Sequence, residues 1–161
     1  MLDRKWVTCC FSGHRRIPTE NFEEISQKLR MVLIELIENG YIYFGAGGAL
    51  GFDMLAEKTV LDLKRQHPQI KLILVLPCVS QANHWREEDR KVYAHIKEQA
   101  DKVVYISQQY TKRCMHERNR HLVDNSSACV CYLTENTGGT VYTVQYALRK
   151  GLYVRNIAKI G

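Results

Sequence analysis

Strand-like apolar runs alternate with helix-period segments along the whole of this chain, and few architectures accept that order. The run WVTCCFSG (6–13) is almost continuously apolar and ends in glycine, the pattern of a strand buried on both faces. From Thr19, expected as an N-cap, Phe22, Ile25, Leu29, Val32, Leu33, Leu36 and Ile37 recur at helical spacing, with Glu20, Glu23 and Glu24 in the first turn and Asn39-Gly40 as the stop. YIYFGAG (41–47) reads as a second strand, followed by a helix bearing Phe52, Leu55, Ala56, Thr59, Val60 and Leu63. IKLILVLPC (70–78), KVVYIS (102–107), ACVCYLT (128–134) and YVRNIA (153–158) are further strands. Between them lie helices marked by Trp85, Val92, Ile96 and Ala100, by MHERNRHLVDNS (115–126) and by GGTVYTVQYALRKG (138–151). Such alternation implies parallel strands joined by right-handed crossovers, hence a doubly wound α/β sandwich with a mainly parallel central sheet.

The 161 residues fit one domain, 1–161, and 45% hydrophobic with 25% charged residues are globular values. The opening MLDRKWVTCC lacks the apolar core of a signal peptide, and no apolar run approaches the roughly 18 residues of a membrane span, so a cytoplasmic protein without a membrane partner is expected. Four of the six cysteines (Cys9, Cys10, Cys129, Cys131) fall in strand-like runs, where reduced cysteine packs as a small hydrophobe; free thiols follow. Cys129-Val130-Cys131 has no second ligand pair at zinc-finger spacing, so neither a metal nor a resident cofactor is expected. A net charge of +6 suits an anionic partner, a nucleotide or weakly held single-stranded nucleic acid, and equally suits a solvated basic surface.

In a doubly wound sheet, ligands bind beyond the carboxyl ends of the strands. Four loops should meet there: SGHRR after the first strand, GAGGALG after the second, Pro77-Cys78 after the third and ENTGGT after the fifth. Gly138-Gly139-Thr140 opens a helix whose free N–H groups and positive dipole end form an anion seat, with the Thr140 and Thr143 hydroxyls as further donors. Gly45, Gly47, Gly48 and Gly51 supply a second glycine turn, readable as a cradle wall or as a tight packing turn. The G-x-G-x-x-G fingerprint is not cleanly reproduced and no Gly-Lys-Ser/Thr exists, which disfavours a conventional dehydrogenase or a P-loop ATPase. Arg15 and Arg16, and Arg118 and Arg120 flanking Asn119, can fork onto phosphate oxygens. Trp85 and Tyr110 are candidates to stack a base, and His14 is an acid, a base or a phosphate donor.

FSGHR, GAGGALGFDMLAEKTV, RNRHLVDNS and TGGTVYTVQYALRKG follow one another as in the SLOG superfamily. The chain resembles that Rossmann-like group over nearly its whole length and is most similar to its YpsA-like branch. The group also includes DNA-processing protein A and the LOG phosphoribohydrolases. The resemblance implies a nucleotide, nucleotide-derived or nucleic-acid ligand and a homo-oligomer. It implies ligand contacts from Gly13 and Arg15, Gly47, Gly51 and Asp53, Arg118 and Asn119, and Gly138, Gly139 and Thr140. The LOG pattern P-G-G-x-G-T-x-x-E, laid on Gly138-Gly139, places Gln145 where the glutamate stands. An amide does no general acid/base work, so the resemblance favours a binder over a hydrolase, with His14, Asp53 or Glu57 as substitutes if hydrolysis occurs.

Overall fold

The computed structural model describes residues 4–158. A short 3-10 turn, Arg4–Val7, leads into β1 (Thr8–Gly13). There follow α1 (Thr19–Glu38), β2 (Tyr43–Ala46), α2 (Phe52–Lys64), β3 (Lys71–Cys78), α3 (Glu87–Gln99), β4 (Lys102–Ser107), α4 (Cys114–Asp124), β5 (Ala128–Tyr132), α5 (Gly139–Arg149) and β6 (Tyr153–Asn156). Most strands are one to three residues shorter than expected, Trp6 and Val7 belonging to the 3-10 turn and not to β1, and two helix starts also differ. Thr19 is already helical and Pro18, at φ −55°, takes the cap position, consistent with the fixed φ of proline at a helix start. Trp85 sits in the turn before α3, its ring edge-on to Tyr93 at 5.1 Å.

The strands form one sheet in the order β4-β3-β2-β1-β5-β6, every neighbouring pair parallel. The chain lays strands outward from β1 to β4, then returns to the other side of β1 for β5 and β6. The reversal falls between β1 and β5. There Cys10 stands between Gly45 of β2 and Cys129 of β5 in register.

Because side chains alternate along a strand, each strand feeds two cores. Cys9, Phe11, Leu72, Leu74, Leu76 and Val130 meet α1, α2 and α3 through Leu29, Leu33, Phe52, Val60 and Ile96. Cys10, Val75, Cys129 and Cys131 meet α4 and α5 through Leu122, Val123, Val144 and Ala147. All six cysteines are buried and none is in a disulfide, so the thiols fill space on both faces.

Candidate functional site

The reversal of strand order has a local consequence. The connection after β1 goes to α1 on one face and the connection after β5 to α5 on the other, so the two loops part and open a crevice at the carboxyl edge. A cavity of about 380 Å³ occupies it. From the β1 side come Phe11, Ser12, Gly13, His14 and Arg15; from the β5 side Glu135, Thr137, Gly138, Gly139 and Thr140; α2 and its approach add Ala49 and Asp53, and α4 adds Met115, Arg118 and Asn119.

The α5 end of this cavity is a helix start with no side-chain cap. Gly138 precedes the helix at φ 107°, no side chain caps it, and the first described backbone bond of the turn runs from Tyr142 N–H to the Gly138 carbonyl. First-turn N–H groups of a helix have no partner within it, and the residues that open this helix, Gly138, Gly139 and Thr140, line the crevice. Thr143 is buried and its hydroxyl donates back to the Gly139 carbonyl at 2.9 Å, so it stiffens the turn from behind and does not line the cavity.

The other glycine turn is filled by the protein itself. Gly48 N–H donates to Glu57 Oε2 at 3.0 Å, Ala49 N–H to Asp53 Oδ2 at 3.3 Å, and Phe52 N–H to the His14 carbonyl at 3.1 Å. A Cβ on Gly45 would stand 3.0 Å from Leu122, one on Gly47 would overlap the Arg118 guanidinium, and one on Gly51 would overlap the Arg15 backbone. Gly48 and Gly51 also hold φ of 72° and 79°, which side-chain-bearing residues rarely adopt. Gly13 abuts the Phe52 ring. Gly139 is different: its φ is not positive and a Cβ there would meet nothing within 4 Å.

A buried charge cluster forms part of the cavity wall. Arg118 is 5% exposed; its Nη1 donates to the Gly47 carbonyl and its Nε to Asn119 Oδ1 at 2.7 Å. Burial pushes the Asp53 carboxyl up, opposed by the Arg118 charge and the N–H groups of Ala49 and Gly47. Burial and then the Asp53 charge push Glu57 well above the usual carboxylate range, opposed by Gly48 N–H and Arg118. Burial lowers Arg118, countered by Asp53, and the group stays cationic because guanidinium starts so high.

Across the crevice, Thr134 N–H donates to His14 Nε2 at 2.9 Å, and the His14 ring lies edge-on to Tyr132 at 5.7 Å. Arg15 is exposed at the mouth, its Nη2 3.4 Å from Met115 Sδ.

Of the residues singled out from sequence, Gly13, His14, Arg15, Asp53, Arg118, Asn119, Gly138, Gly139 and Thr140 line one cavity, while Gly45, Gly47, Gly48, Gly51 and Thr143 stand behind it. Pro77 and Cys78 lie outside it, Trp85 borders a small neighbouring hollow beside Arg15 and Met115, and Tyr110 is exposed. Gln145 is exposed and faces a groove between α1, α5 and β6, so the glutamate position inferred for it does not fall on this cavity. Phe11, Ser12, Ala49, Met115, Glu135 and Thr137 also line the cavity without having been singled out from sequence; Glu135 and Thr137 lie in the ENTGGT loop, where an acid directly after an expected central strand was the available signal. Among the described residues no group of three or more His, Cys, Asp or Glu could hold a metal ion, and no helix is long and apolar enough to cross a membrane.

A six-stranded parallel sheet with helices on both faces and a crevice at its switch point defines a Rossmann-like α/β protein. The chain belongs to the YspA SLOG family, whose YpsA model matches residues 15–155. It is 30% identical over 129 residues to a UPF0398 protein of Brevibacillus brevis, which covers 78% of this chain and 69% of the relative. A UPF0398 protein of Bacillus cereus is 30% identical over 136 residues, covering 80% and 72%. Two solved structures share the fold. DNA processing protein A from Helicobacter pylori, described for its single-stranded DNA binding mode, superposes with a TM-score of 0.66 at 20% identity over 92% of this chain and 63% of that one. Its Streptococcus pneumoniae counterpart gives 0.66 at 15% identity over 94% and 50%. The chain thus spans less than two thirds of either solved protein.

Proposed function

We propose that this protein binds a nucleotide or nucleotide-derived molecule, of the AMP or ADP-ribose class, in the crevice between β1 and β5, as a sensor or carrier. A phosphate sits on the N–H groups opening α5, with the Thr140 hydroxyl beside them and Arg15 at the mouth. The sugar hydroxyls point toward Asp53 and the Asn119 side chain, and the cavity volume is in the range of small-molecule sites. The observation that carries this reading is Gly139. Packing or positive φ accounts for the other glycines around the crevice, whereas neither applies to Gly139, and a bare backbone at a helix start is what close approach of a phosphate requires.

A second reading has one observation in its favour. Asp53 is a buried carboxyl on the cavity wall, shifted toward the protonated form, as a general acid for N-glycosidic cleavage would be. Chromatography of AMP incubated with the protein separates the two: free adenine that disappears in Asp53→Asn makes it a hydrolase, and intact AMP leaves a binder.

The direct test is mass spectrometry of small molecules released on denaturing the freshly purified protein, paired with calorimetric titration of AMP and ADP-ribose. A released nucleotide-class ion, or saturable binding of either probe, is expected. A ligand-free protein that binds neither at millimolar concentration contradicts the proposal.

A further inference from the structure

A second concavity lies on the face of the sheet opposite α4 and α5, away from the crevice. There α2 and α3 pack side by side and run in the same direction, since each returns the chain to the start of a parallel strand. Between their outer sides runs a groove of about 480 Å³. Its floor is apolar: Leu61 and Val92 are half-buried and Ile96 is buried. Its lips are basic, with Lys58 and Arg65 on the α2 side and Lys91 on the α3 side. None of these residues lines the crevice cavity.

The positive charge of the lips is poorly compensated. Lys58 and Arg65 are exposed, and their side chains form no hydrogen bond or ion pair among the described residues. The acid that lines the groove, Asp62, accepts from Arg30 Nη1 of α1 at 2.6 Å, so its charge is met from outside the groove. Lys91 has Glu87 at 3.5 Å one turn back on α3, but both side chains stand mostly in solvent, and such a pair is weak enough to exchange for a better partner.

The spacing of the cations selects the shape of what they hold. Lys58 and Arg65 are seven residues apart on one side of α2, about 10 Å along its axis. One phosphate or carboxylate group meets only one of them, so a small anion gains little from the pair. A helix laid in the groove repeats acids along one side at the same pitch, and its apolar stripe seats on Leu61 and Val92. A nucleic acid matches the lips equally well, but it turns a charged backbone and not an apolar stripe to the floor.

We propose that the α2–α3 groove is a docking site for an acidic amphipathic helix of a partner protein, its apolar side chains on the floor and its carboxylates on Lys58, Arg65 and Lys91.

The test is fluorescence anisotropy at low salt with a labelled synthetic peptide of about 15 residues, leucines along one helical stripe and glutamates on both its borders. Two comparison peptides have the same length, one with the same composition scrambled out of helical register and one with glutamine for every glutamate. The parent peptide should bind at least about 10-fold better than either. Lys58→Glu/Arg65→Glu should weaken it by about 10-fold while the melting temperature holds. Val92→Thr, which keeps the shape of the floor and adds a hydroxyl, should weaken it several-fold. A labelled oligothymidylate should bind less well than the peptide. No binding of the parent peptide, equal binding of the scrambled one, or an affinity indifferent to the double variant overturns the proposal. Tighter binding of oligothymidylate that ignores Val92→Thr makes the groove a general polyanion surface and overturns it too.

Discussion

Thr134 N–H donates to His14 Nε2 at 2.9 Å, joining the loop after β5 to the loop after β1 across 120 positions of sequence. The bond sets the tautomer: an Nε2 that accepts leaves the proton of neutral imidazole on Nδ1. A side chain without an acceptor at position 14 leaves Thr134 N–H unpaired and unties the loop that leads into Gly138. His14→Ala should therefore weaken calorimetric binding of ADP-ribose by several-fold, about the 1 kcal/mol of one hydrogen bond, whereas His14→Gln, which keeps an acceptor, should retain more of it. An affinity unchanged in His14→Ala contradicts this role.

Arg118 is as much a piece of the fold as a wall of the cavity. Replacing it by alanine removes the donor to the Gly47 carbonyl and the charge opposing Asp53 inside a buried cluster. Arg118→Ala should cost about 3 kcal/mol of stability, the scale of breaking a buried ionic pair. Urea denaturation checks it, and an unchanged midpoint would show that the cluster relaxes or admits water.

Glu57 makes a prediction of opposite sign. Its folded-state pKa is raised by burial and by Asp53, so the folded protein holds this proton to higher pH than the unfolded chain. Stability is lost as pH rises from the unfolded carboxylate range through the folded value, because only the unfolded state gains by ionising. Glu57→Gln keeps an acceptor for Gly48 N–H without the charge, and should be more stable than wild type at pH 7.5 by on the order of 1 kcal/mol. The gap should close toward pH 4.5, below which both forms are neutral. Thermal unfolding across pH measures it; a variant less stable at every pH would mean that the ionised carboxylate is favoured in the fold.

The cysteines offer a check of the two cores. All six are buried and outside any disulfide, and three of them, Cys10, Cys129 and Cys131, face α4 and α5. Thiol reagent should modify all six in denaturant at once and leave them nearly inert in the native protein. Rapid native modification of more than one would place a strand outside the core described.

Much of the architecture was legible because the central parallel strands, buried on both faces, read as continuous apolar runs, while the edge strands β4 and β6 are only partly buried and were legible from their place in the alternation. The crevice was legible at α5, where the glycine pair stood directly before a helical stripe. The turn after β2 was ambiguous because composition cannot say who occupies its amides. The occupants, Asp53 and Glu57, come from α2, four residues apart on one face, and Arg118 reaches the same turn from α4. The His14–Thr134 bond has no local signature at all. Gln145 shows the reverse hazard: a motif register fixed on a glycine pair put an amide at the site, while the helix turns that side chain toward a different groove.

Gly51 and Gly139 carry the central claim as a pair. Gly51 is demanded by the fold, through φ of 79° and contact with the Arg15 backbone, whereas nothing in the protein demands Gly139. The most direct measurement is therefore calorimetric binding of AMP and ADP-ribose to Gly139→Ala, alongside its melting temperature, with Gly51→Ala as the contrasting variant. Gly51→Ala should be destabilised by more than about 1 kcal/mol. Gly139→Ala should melt at or above the wild-type temperature, since alanine is the better helix former, and lose at least about 10-fold in affinity as the Cβ blocks close approach of phosphate. Undiminished affinity in a stably folded Gly139→Ala would contradict the account and remove the phosphate from the start of α5.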